Sequence, residues 1–366
     1  MFVLDSHCDA PSMLIKGADF AKGVRRGISE GSFPVTHVDY PRMKKGGVDA
    51  SFFALYTSNT ISDEQSLRIV MKMIAAVNDS IAQNPGMVAL ATSAAQAFEN
   101  KKKGLLSIFL GLENGAPIGK DLSMLRLFFK MGVRYMTLTH NGHNEICDSA
   151  APAEKRWGGV SPFGREVIAE MNRLGMLIDV AHISDDSFWD VIKYSKEPVV
   201  STHSCCRALC SHSRNMTDDM ICAMAEKGGV IQINFYPSFL EEGFAERFNP
   251  VLAEFESAYD AYLSNSKDEA LQTAALQALD KMNSIKRPSY RRIVDHIDHV
   301  VKLAGVEHVG IGSDFDGIEI APEGLDDISM MPKIIVELRK RGYREAEIAL
   351  ITSGNFLRVL QKIEKR

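Results

Sequence analysis

Eight short apolar runs, separated by amphipathic stretches, constrain the fold of this chain more than any other feature of its sequence. Runs rich in Val, Ile, Leu and Phe are typical of parallel strands that are buried on both faces. The runs cover residues 2–7, 48–56, 105–113, 133–140, 176–182, 198–203, 229–236 and 308–314. Strands that alternate with helices over this length favour an α/β fold of the (β/α)8 TIM-like barrel type. The alternative is an open doubly wound sheet, but no Gly-rich nucleotide loop follows any run.

The stretches between the runs carry the start and stop signals of helices. Residues 63–84 place apolar side chains at spacings of three and four, which is typical of an amphipathic helix. In residues 161–175, Ser161 is a suitable N-cap, Pro162 occupies the first helical position and Gly175 provides a stop. The alternation of strands and helices therefore continues along most of the chain.

One segment interrupts this alternation, because the connection between the seventh and eighth runs is far longer than a usual crossover. Residues 249–284 have the pattern of two charged helices, and residues 287–305 have that of the barrel helix before the last strand. We therefore predict one barrel domain over residues 1–366 with a helical insertion at 237–286. The insertion would lie over or beside the barrel mouth, as a lid or as an oligomer contact.

Composition argues against several classes of partner and location. The net charge is −5 and no block of basic residues occurs, so neither nucleic acid nor an anionic membrane surface is expected as the main partner. No apolar run approaches the roughly 18 residues of a membrane span, and the N-terminus lacks the pattern of a secretory signal. The six cysteines form no CxxC pair, which favours free thiols in a reducing compartment. We expect a cytoplasmic protein.

Residues with the chemistry of metal ligands stand at the carboxyl ends of six of the eight runs. They are His7, Asp9, Glu113, His140, His182, His203 and Asp314. In a (β/α)8 barrel the carboxyl ends of all strands meet at one face, which is where the active site lies. A single histidine after an apolar run is usually a hydrogen-bonded core residue, but so many such side chains at strand ends indicate a metal site.

The donor types and their spacing predict a pair of metal ions. Imidazole and carboxylate groups without thiolates suit Zn²⁺ or a similar divalent ion. His7 and Asp9 stand two residues apart and would share one face of the first strand, so they can bind one ion together. His182 and His203 would bind the second ion, and Glu113 could bridge the two through its two oxygens. Such a pair, about 3.5–4 Å apart, would hold a hydroxide nucleophile at neutral pH.

Three residues outside this set of ligands fit the chemistry of amide hydrolysis. Asp314 could accept the proton of the attacking water and pass it to a leaving amine. His140 could donate a hydrogen bond to the carbonyl oxygen of the substrate as charge develops there. Arg214 could bind a free carboxylate of the substrate in bidentate fashion, although an ion pair with Asp218 or Asp219 in the same loop is an equal alternative.

Four further residues are weaker candidates for a place in the site. Tyr236 ends the seventh run and is a candidate for contact with the substrate. Asp316 is the alternative to Asp314 as the residue that transfers the proton. His143 is a candidate for the pocket wall, and Asp179 is expected to form hydrogen bonds in the core or behind the ligands.

These residues and their neighbours resemble the membrane dipeptidase (renal dipeptidase) family of zinc peptidases, within the amidohydrolase-like barrels. The likeness runs along the whole chain and includes "DSHCDAP", "GLENG", "STHSCCRAL", "RNMTDD" and "PEGLDDIS". The most specific segments are "SPFG…MNRLGMLIDVAHIS" and "GSDFDG".

The resemblance implies two zinc ions per chain on the same five ligands, bridged by the same glutamate. It also implies that His140 polarises the scissile carbonyl, that Arg214 binds the C-terminal carboxylate of a dipeptide and that Asp314 is the general acid and base. Dipeptides would be the substrates, often with tolerance for a D-residue at the C-terminal position. The resemblance also suggests a homodimer. Animal members carry a secretory signal, a lipid-anchor signal and disulfides; this chain shows none of them, so a bacterial-type soluble member without membrane attachment is expected.

Two rival functions are weighed against this one. The first is another binuclear amidohydrolase, such as a deaminase or a hydrolase of cyclic amides or β-lactams. Deaminases and cyclic-amide hydrolases commonly use HxH on the first strand and a carboxylated lysine as bridge, whereas this chain has HxD and Glu113. The second is a metal-stabilised binding protein without catalysis, against which the complete set of ligands and proton-transfer candidates argues.

Overall fold

A ring of parallel strands organises the computed structural model, which describes residues 1–23 and 36–364. In chain order the strands of the described residues are β1 (Leu4–Cys8), β2 (Ala50–Tyr56), β3 (Val88–Leu90), β4 (Leu106–Glu113), β5 (Val133–Thr137), β6 (Leu177–Asp179), β7 (Val200–Ser204), β8 (Val230–Ile233) and β9 (Val309–Ile311).

Helices fill most of the connections between these strands. In chain order the helices of the described residues are α1 (Ala10–Ile15), α2 (Tyr40–Lys45), α3 (Asp63–Gln83), α4 (Ala94–Lys102), α5 (Leu122–Lys130), α6 (Pro162–Leu174), α7 (Asp185–Tyr194), α8 (Asp218–Glu226), α9 (Pro237–Leu240), α10 (Phe244–Ser264), α11 (Glu269–Asn283), α12 (Arg291–Ala304), α13 (Pro332–Lys340), α14 (Glu345–Ala349) and α15 (Asn355–Glu364). A π-helical turn, Leu350–Gly354, joins the last two.

Eight of the strands form a nearly closed parallel barrel in the order β1-β2-β4-β5-β6-β7-β8-β9. The ring closes just beyond β9, where Cys8 pairs in parallel with Phe315. There the Asp9 N–H donates to the Phe315 carbonyl at 2.8 Å, and the Asp314 N–H donates to the His7 carbonyl at 3.0 Å. The predicted (β/α)8 barrel is therefore confirmed, and the last connection is closed by the segment that carries a candidate catalytic residue.

One strand was not expected from the sequence. β3 pairs with the first residues of β4, from Leu106 to Ile108, on the same side of β4 that β5 joins from Leu110 onward. It therefore lengthens the sheet at the amino end of the barrel and does not enter the ring. β3 spans only three residues and lies outside the eight apolar runs from which the other strands were predicted.

Helix boundaries follow the predicted signals closely. The Ser161 hydroxyl caps α6 by accepting from the Gly164 N–H at 2.9 Å, and Gly175 ends it in the left-handed conformation at φ +74°. The helix predicted at 63–84 is α3, whose Ser62 and Gln65 form a reciprocal capping box. These caps provide acceptors for backbone N–H groups that have no partner within the first turn of each helix.

The amino half of the barrel interior is filled by apolar side chains that alternate along the strands. Phe52 is its centre, with ring centroids 4.6 Å from Phe109, 5.2 Å from Tyr135 and 5.2 Å from Phe356 of α15. Gly111 makes room for this layer, because a Cβ there would stand 2.0 Å from the Tyr135 ring. We call this set of residues, with α15 beneath it, the aromatic layer.

The predicted insertion at 237–286 consists of α9, α10 and α11. α10 and α11 pack against each other around a small core of their own, which contains Phe248, Phe255 and Met282 and also takes in Ile320 from the loop after β9. α10 begins at Phe244, five residues before the predicted start, and continues through Pro250. The sequence pattern failed there because Pro usually marks the start of a helix rather than its interior.

Two other expectations concern the chain as a whole. Within the described residues, every helix is too short or too polar to cross a bilayer. Also within them, all six cysteines are unpaired, and five of the six are buried.

Candidate active site

The candidate ligands of the sequence converge at the carboxyl end of the barrel. His7 Nε2 lies 3.5 Å from Asp9 Oδ2, 3.4 Å from Glu113 Oε2 and 3.8 Å from Asp314 Oδ1. β1 ends at Cys8, so Asp9 lies just beyond the strand as the residue that precedes α1, rather than on the same strand face as His7. The two side chains nevertheless meet.

A second group of histidines faces the other oxygen of the glutamate. Glu113 Oε1 lies 3.1 Å from His182 Nε2 and 3.4 Å from His203 Nε2. The two Nε2 atoms are 2.8 Å apart, so both imidazoles point to one place. The two oxygens of Glu113 therefore face different histidines, as a bridging carboxylate would require.

The arrangement fits metal ions. Three overlapping sets of ligand atoms lie within 4.8 Å of one another: His7, Glu113 and His203; Glu113, His140 and His182; and His7, Asp9 and Asp314. His7 Nε2 is buried and has no hydrogen-bond partner among the described residues, which is costly for a polar atom unless a ligand takes it up. Imidazole nitrogens and carboxylate oxygens in this mixture are the donors that zinc and neighbouring divalent ions prefer.

Hydrogen bonds behind the ligands orient two of the imidazoles. The Tyr135 hydroxyl lies 2.8 Å from His7 Nδ1, and Asn141 Oδ1 lies 3.0 Å from His182 Nδ1. Each leaves the Nε2 atom of its histidine facing the cluster, which is how outer groups fix the orientation of metal ligands. Neither Tyr135 nor Asn141 was predicted from the sequence.

A relay of hydroxyl and carboxylate groups supports the third imidazole. His203 Nδ1 lies 2.8 Å from Thr202 Oγ1, which donates to Asp179 Oδ2 at 2.7 Å. Asp179 also accepts from the Thr137 hydroxyl at 2.5 Å and from the Ala181 N–H at 3.0 Å. Asp179 thus has the hydrogen-bonding position that the sequence led us to expect.

Three candidate residues lie beyond their strands rather than on them. β5, β6 and β9 each end three residues before His140, His182 and Asp314 respectively. The predicted runs therefore extended too far at these three ends. The polar residues continue the apolar pattern in sequence, but the backbone has already left the sheet.

The backbone at these turns is strained. Asn114, His182, Asp314 and Asp316 have φ values of +83°, +68°, +62° and +68°, which non-glycine residues rarely adopt. All four lie within five residues of a strand's carboxyl end. Such strain is typical of functional sites, where the surrounding structure compensates its cost.

Burial and charge set the protonation of the ligands. Burial lowers the pKa of His182 and of His203 well below the usual value, so both imidazoles are neutral and can offer a lone pair. Burial would raise the pKa of Glu113, but the charge of His7 and the hydrogen bonds of His182 and His7 hold it well below its ordinary value. Neutral imidazoles at His182 and His203 and an ionised bridge are the states that metal binding requires. Burial would lower the pKa of His7, but the carboxylates of Glu113 and Asp9 raise it well above its ordinary value, so His7 would have to release a proton to bind metal.

The two candidate catalytic groups have shifted pKa values. Burial raises the pKa of Asp314 to about 6, although His7 opposes the rise, and Asp314 Oδ2 also accepts from Asn234 Nδ2 at 2.8 Å. Burial lowers the pKa of His140 to about 4, so this imidazole is neutral at pH 7. A carboxyl poised near neutrality suits proton transfer.

Of the two aspartates that the sequence could not separate, Asp314 faces the ligands. Asp316 instead turns toward the segment before α2, where its Oδ1 accepts from the backbone N–H of His37. Asp314 is also the one that lies close to His7 and Asp9. The geometry therefore favours Asp314 over Asp316 as the proton-transfer candidate.

A cavity of about 470 Å³ opens above the cluster. Arg214, Tyr236 and Phe239 form one part of its wall, and Tyr56 stacks edge-on against His140 with centroids 4.7 Å apart. Arg214 and Tyr236 were predicted from the sequence. Phe239 and Tyr56 were not, because the residues around them carry no pattern that indicates a pocket.

Arg214 is free to bind a carboxylate. It is buried, its Nη2 donates to the His203 carbonyl at 3.3 Å, and no carboxylate of the described residues lies within 4.0 Å of it. Asp218 instead pairs with His299 at 2.8 Å. The alternative of an ion pair within the loop is therefore wrong. Burial lowers the pKa of Arg214 to about 10, which leaves the guanidinium charged at neutral pH.

His143 does not line this cavity. Its Nε2 lies 2.6 Å from the Glu154 carbonyl, and its Nδ1 accepts from the Ser149 N–H at 3.0 Å. The suggestion that His143 lines the pocket is therefore wrong, because these bonds direct it into the loop that follows β5.

The strand ends of this barrel place histidines and carboxylates around one cavity, beside a free guanidinium and an acid of raised pKa. These features define a metal-dependent hydrolase. The sequence model of the family described as "Membrane dipeptidase (Peptidase family M19)" matches residues 1–366. The chain belongs to this family of metallopeptidases, and it is a dipeptidase of that family.

One curated relative is similar in sequence, and two solved structures share the fold. Dipeptidase aclJ of Aspergillus oryzae is 34% identical over 335 residues, which are 89% of this chain and 70% of that protein. The probable dipeptidase PvdM from Pseudomonas aeruginosa has the same fold, with a TM-score of 0.81, 24% identity and coverage of 100% of this chain and 96% of that one. A metallopeptidase from Rhodobacter sphaeroides, liganded with a phosphinate mimic of the dipeptide L-Ala-D-Ala, superposes with a TM-score of 0.79, 24% identity and 99% coverage of both chains.

Proposed function

We propose that this chain uses two zinc ions, bridged by Glu113, to hydrolyse dipeptides that carry a free C-terminal carboxylate. The observation that supports this most directly is the placement of Glu113 between His7 on one side and the His182–His203 pair on the other. Family membership supports the class of reaction.

The residues present would divide between the two ions. His7 and Asp9 would hold one, His182 and His203 would hold the other, and Glu113 would serve both. Bound there, the ions would make the attacking water more acidic and polarise the scissile carbonyl.

Asp314 would move the proton. Its carboxylate accepts a proton from the attacking water and returns it to the nitrogen of the leaving amine, so that the peptide bond breaks as the new carboxylate forms. The pKa of about 6 allows Asp314 to play both parts near neutral pH, and the amide of Asn234 holds one of its oxygens in place.

The remaining roles concern the substrate. His140 would donate its N–H to the carbonyl oxygen as negative charge develops there, which a neutral imidazole can do. Arg214 would bind the C-terminal carboxylate with two parallel hydrogen bonds, and Tyr236 beside it would contact the same residue of the substrate.

Tolerance of a D-residue at the C-terminal position belongs to the same proposal. It is supported by the L-Ala-D-Ala mimic bound to the Rhodobacter sphaeroides relative. A cytoplasmic location is supported by the six unpaired thiols, and a homodimer stays a prediction from the family resemblance.

The proposal is tested with zinc-loaded protein and a panel of dipeptides that pairs each L-residue with an L- or a D-partner. We expect release of free amino acids, loss of this activity on chelation and its return with two equivalents of zinc per chain. Metal content is measured by mass spectrometry on the same samples.

Protein that keeps two metals per chain yet cleaves no dipeptide would contradict the proposal. Cyclic amides and β-lactams would then be assayed on the same samples, because they react at a binuclear site by the same chemistry. Failure of all three substrate classes would leave the binding-protein alternative.

A further inference from the structure

A second cavity, of about 520 Å³, lies beside the first one. Its walls are α10 of the insertion and the loop after β9. The two cavities share Asp316, Gly317, Ile318 and Glu319 in their walls. A molecule in the candidate active site therefore borders on the second cavity across this short segment.

The second cavity is acidic. α10 contributes Glu256 and Asp260, and the loop contributes Asp316 and Glu319. Within the described part of the chain, none of these four carboxylates has a Lys or Arg side chain within the 4.0 Å of an ion pair; the group that approaches Asp316 is His37. As far as the described residues show, the second cavity thus carries negative charge with no lysine or arginine paired to it.

Glu319 is half-buried and, like Asp316, lines both cavities. Burial raises the pKa of its carboxyl, the charge of Glu256 raises it further, and the Tyr236 hydroxyl and His37 oppose the rise. Tyr236 itself lines the candidate active site. Glu319 therefore links the proposed substrate pocket to the acidic cavity.

An unmet acceptor adjoins Glu319. Asp316 is 5% exposed, and its Oδ2 has no hydrogen-bond partner among the described residues. Asp316 lies in the wall of both cavities. A buried carboxylate oxygen without a donor is costly, and a cationic donor placed between the cavities would relieve that cost.

The insertion holds this wall in place. Phe255 precedes Glu256 and is fully buried in the core of α10 and α11, and Ile320, next to Glu319, packs into the same core. Glu256 and Glu319 are thus held on either side of the second cavity by one packed cluster. Glu256 is exposed, whereas Glu319 is half-buried and has no Lys or Arg side chain paired with it among the described residues. A ligand that brings a cation to Glu319 would therefore be favoured there.

We propose that Glu319 is a specificity-determining residue that accepts the cationic side chain of a basic residue in the dipeptide, with Glu256 and Asp260 extending the same acidic subsite. The ligand group is an ammonium or a guanidinium. This inference rests on the proposed dipeptidase function and names the substrate class that the site favours.

The test compares kcat/KM for L-Ala-L-Lys and L-Lys-L-Ala with kcat/KM for their norleucine counterparts, which have side chains of similar length without the charge. In zinc-loaded wild type we expect the lysine substrate of one pair to be preferred by at least about tenfold. The pair that shows the preference identifies the end of the dipeptide that meets the subsite. Glu319→Gln should abolish the preference, and Glu319→Lys should transfer it to the matching glutamate dipeptide.

Glu323→Gln is the matched control. Glu323 is exposed on the same loop and lines neither cavity, so the same chemical change there should leave both the preference and the basal activity as in wild type. Wild type that hydrolyses norleucine and lysine dipeptides equally, or Glu319→Gln that keeps the preference, would overturn the inference while the dipeptidase function stands.

Failure of the proposed function looks different, because then no dipeptide is cleaved by the loaded protein. In that case the binding of L-Ala-L-Lys, L-Lys-L-Ala and their norleucine counterparts to the loaded protein is measured by calorimetry, since nothing is consumed. If one lysine dipeptide binds more tightly than its norleucine counterpart and Glu319→Gln removes that difference, the subsite is supported independently. Equal binding within each pair would overturn it.

Discussion

The two ends of the barrel interior obey different rules, although the same strands build both. At the amino end, the aromatic layer places Phe52 against Phe109 and Phe356 with ordinary backbone geometry and complete burial. At the carboxyl end, His182 and Asp314 take left-handed backbone conformations, and His7 Nε2 is buried without a partner.

The difference shows where this fold gains stability and where it gives stability up. Burying large apolar side chains stabilises the fold by about 1.5–3 kcal/mol each. Left-handed backbone at a non-glycine residue costs roughly 1–3 kcal/mol, and an unpaired buried polar group costs a similar amount. The carboxyl end therefore depends on the rest of the barrel, and on bound metal, to keep its arrangement.

The largest expected effect is on chemistry and is confined to the carboxyl end. Asp314→Asn keeps a residue that tolerates the left-handed backbone but removes the proton acceptor. We expect kcat to fall roughly 10²- to 10⁴-fold, with the thermal midpoint of the metal-loaded protein little changed. Steady-state kinetics and thermal unfolding on the same preparation measure both.

Asp316→Asn is the matched control for this variant, because it is the same substitution two residues along the same loop. It should cost far less activity, since Asp316 turns toward the backbone of His37. Equal losses in the two variants would show that the two aspartates had been distinguished wrongly.

Metal removal should destabilise the protein through the carboxyl end alone. Ions that bind the native cluster and not the unfolded chain stabilise it by about 3–4 kcal/mol at free metal concentrations of 100 to 1,000 times Kd. We expect chelation to lower the thermal unfolding midpoint of wild type and of Phe52→Leu by the same amount. A chelation effect that depends on the residue at position 52 would mean that the two ends are coupled more tightly than described.

Gly111→Ala tests the boundary between the two ends. A Cβ at this position would stand 2.0 Å from the Tyr135 ring, so the ring or the backbone of β4 must move. Overpacking of this kind costs about 1–3 kcal/mol in unfolding free energy. Gly86→Ala is the control: its Cβ meets nothing within 4 Å, and it should change stability by no more than about 0.5 kcal/mol. Gly111→Ala with wild-type stability would contradict the close packing at this boundary.

The smallest expected effect comes from one hydroxyl. Tyr135→Phe keeps the ring in the aromatic layer but removes the hydrogen bond to His7 Nδ1, and metal affinity should fall about 10- to 100-fold. Tyr40→Phe is the control: it removes a hydroxyl that lies 2.8 Å from the Ser80 hydroxyl and contacts no candidate ligand, and it should leave metal affinity unchanged. Metal titration against a competing chelator measures both. An unchanged affinity in Tyr135→Phe would show that the aromatic layer does not reach the metal site.

The barrel and the ligand positions were predictable because each follows from a local pattern combined with one rule of topology. Apolar runs locate the strands, and the parallel barrel brings their carboxyl ends together, which placed His7, Glu113 and His203 at one mouth. The same reasoning placed the ends of β5, β6 and β9 three residues too late. His140, His182 and Asp314 continue the apolar runs in sequence, but the backbone has already left the sheet there.

The groups behind the ligands were not predictable, because they depend on the register between strands. The pairing of β4 with β5 shifts between Leu110 and Gly111, and this shift decides where the Tyr135 ring lies relative to β4. Asn141 reaches His182 only because the loop after β5 folds over the end of β6. The sequence of one chain shows which residues can donate a hydrogen bond, but not which of them lies close enough to a ligand to do so.

The helical insertion has a consequence for how relatives of this chain can diverge. α10 and α11 pack around a core that also takes in Ile320, α10 supplies one wall of the acidic cavity, and neither helix supplies a candidate metal ligand. Substitutions on the cavity face of α10 would therefore change the acidic cavity without changing any candidate metal ligand. Libraries aimed at new substrates would randomise α10 and leave every strand end untouched.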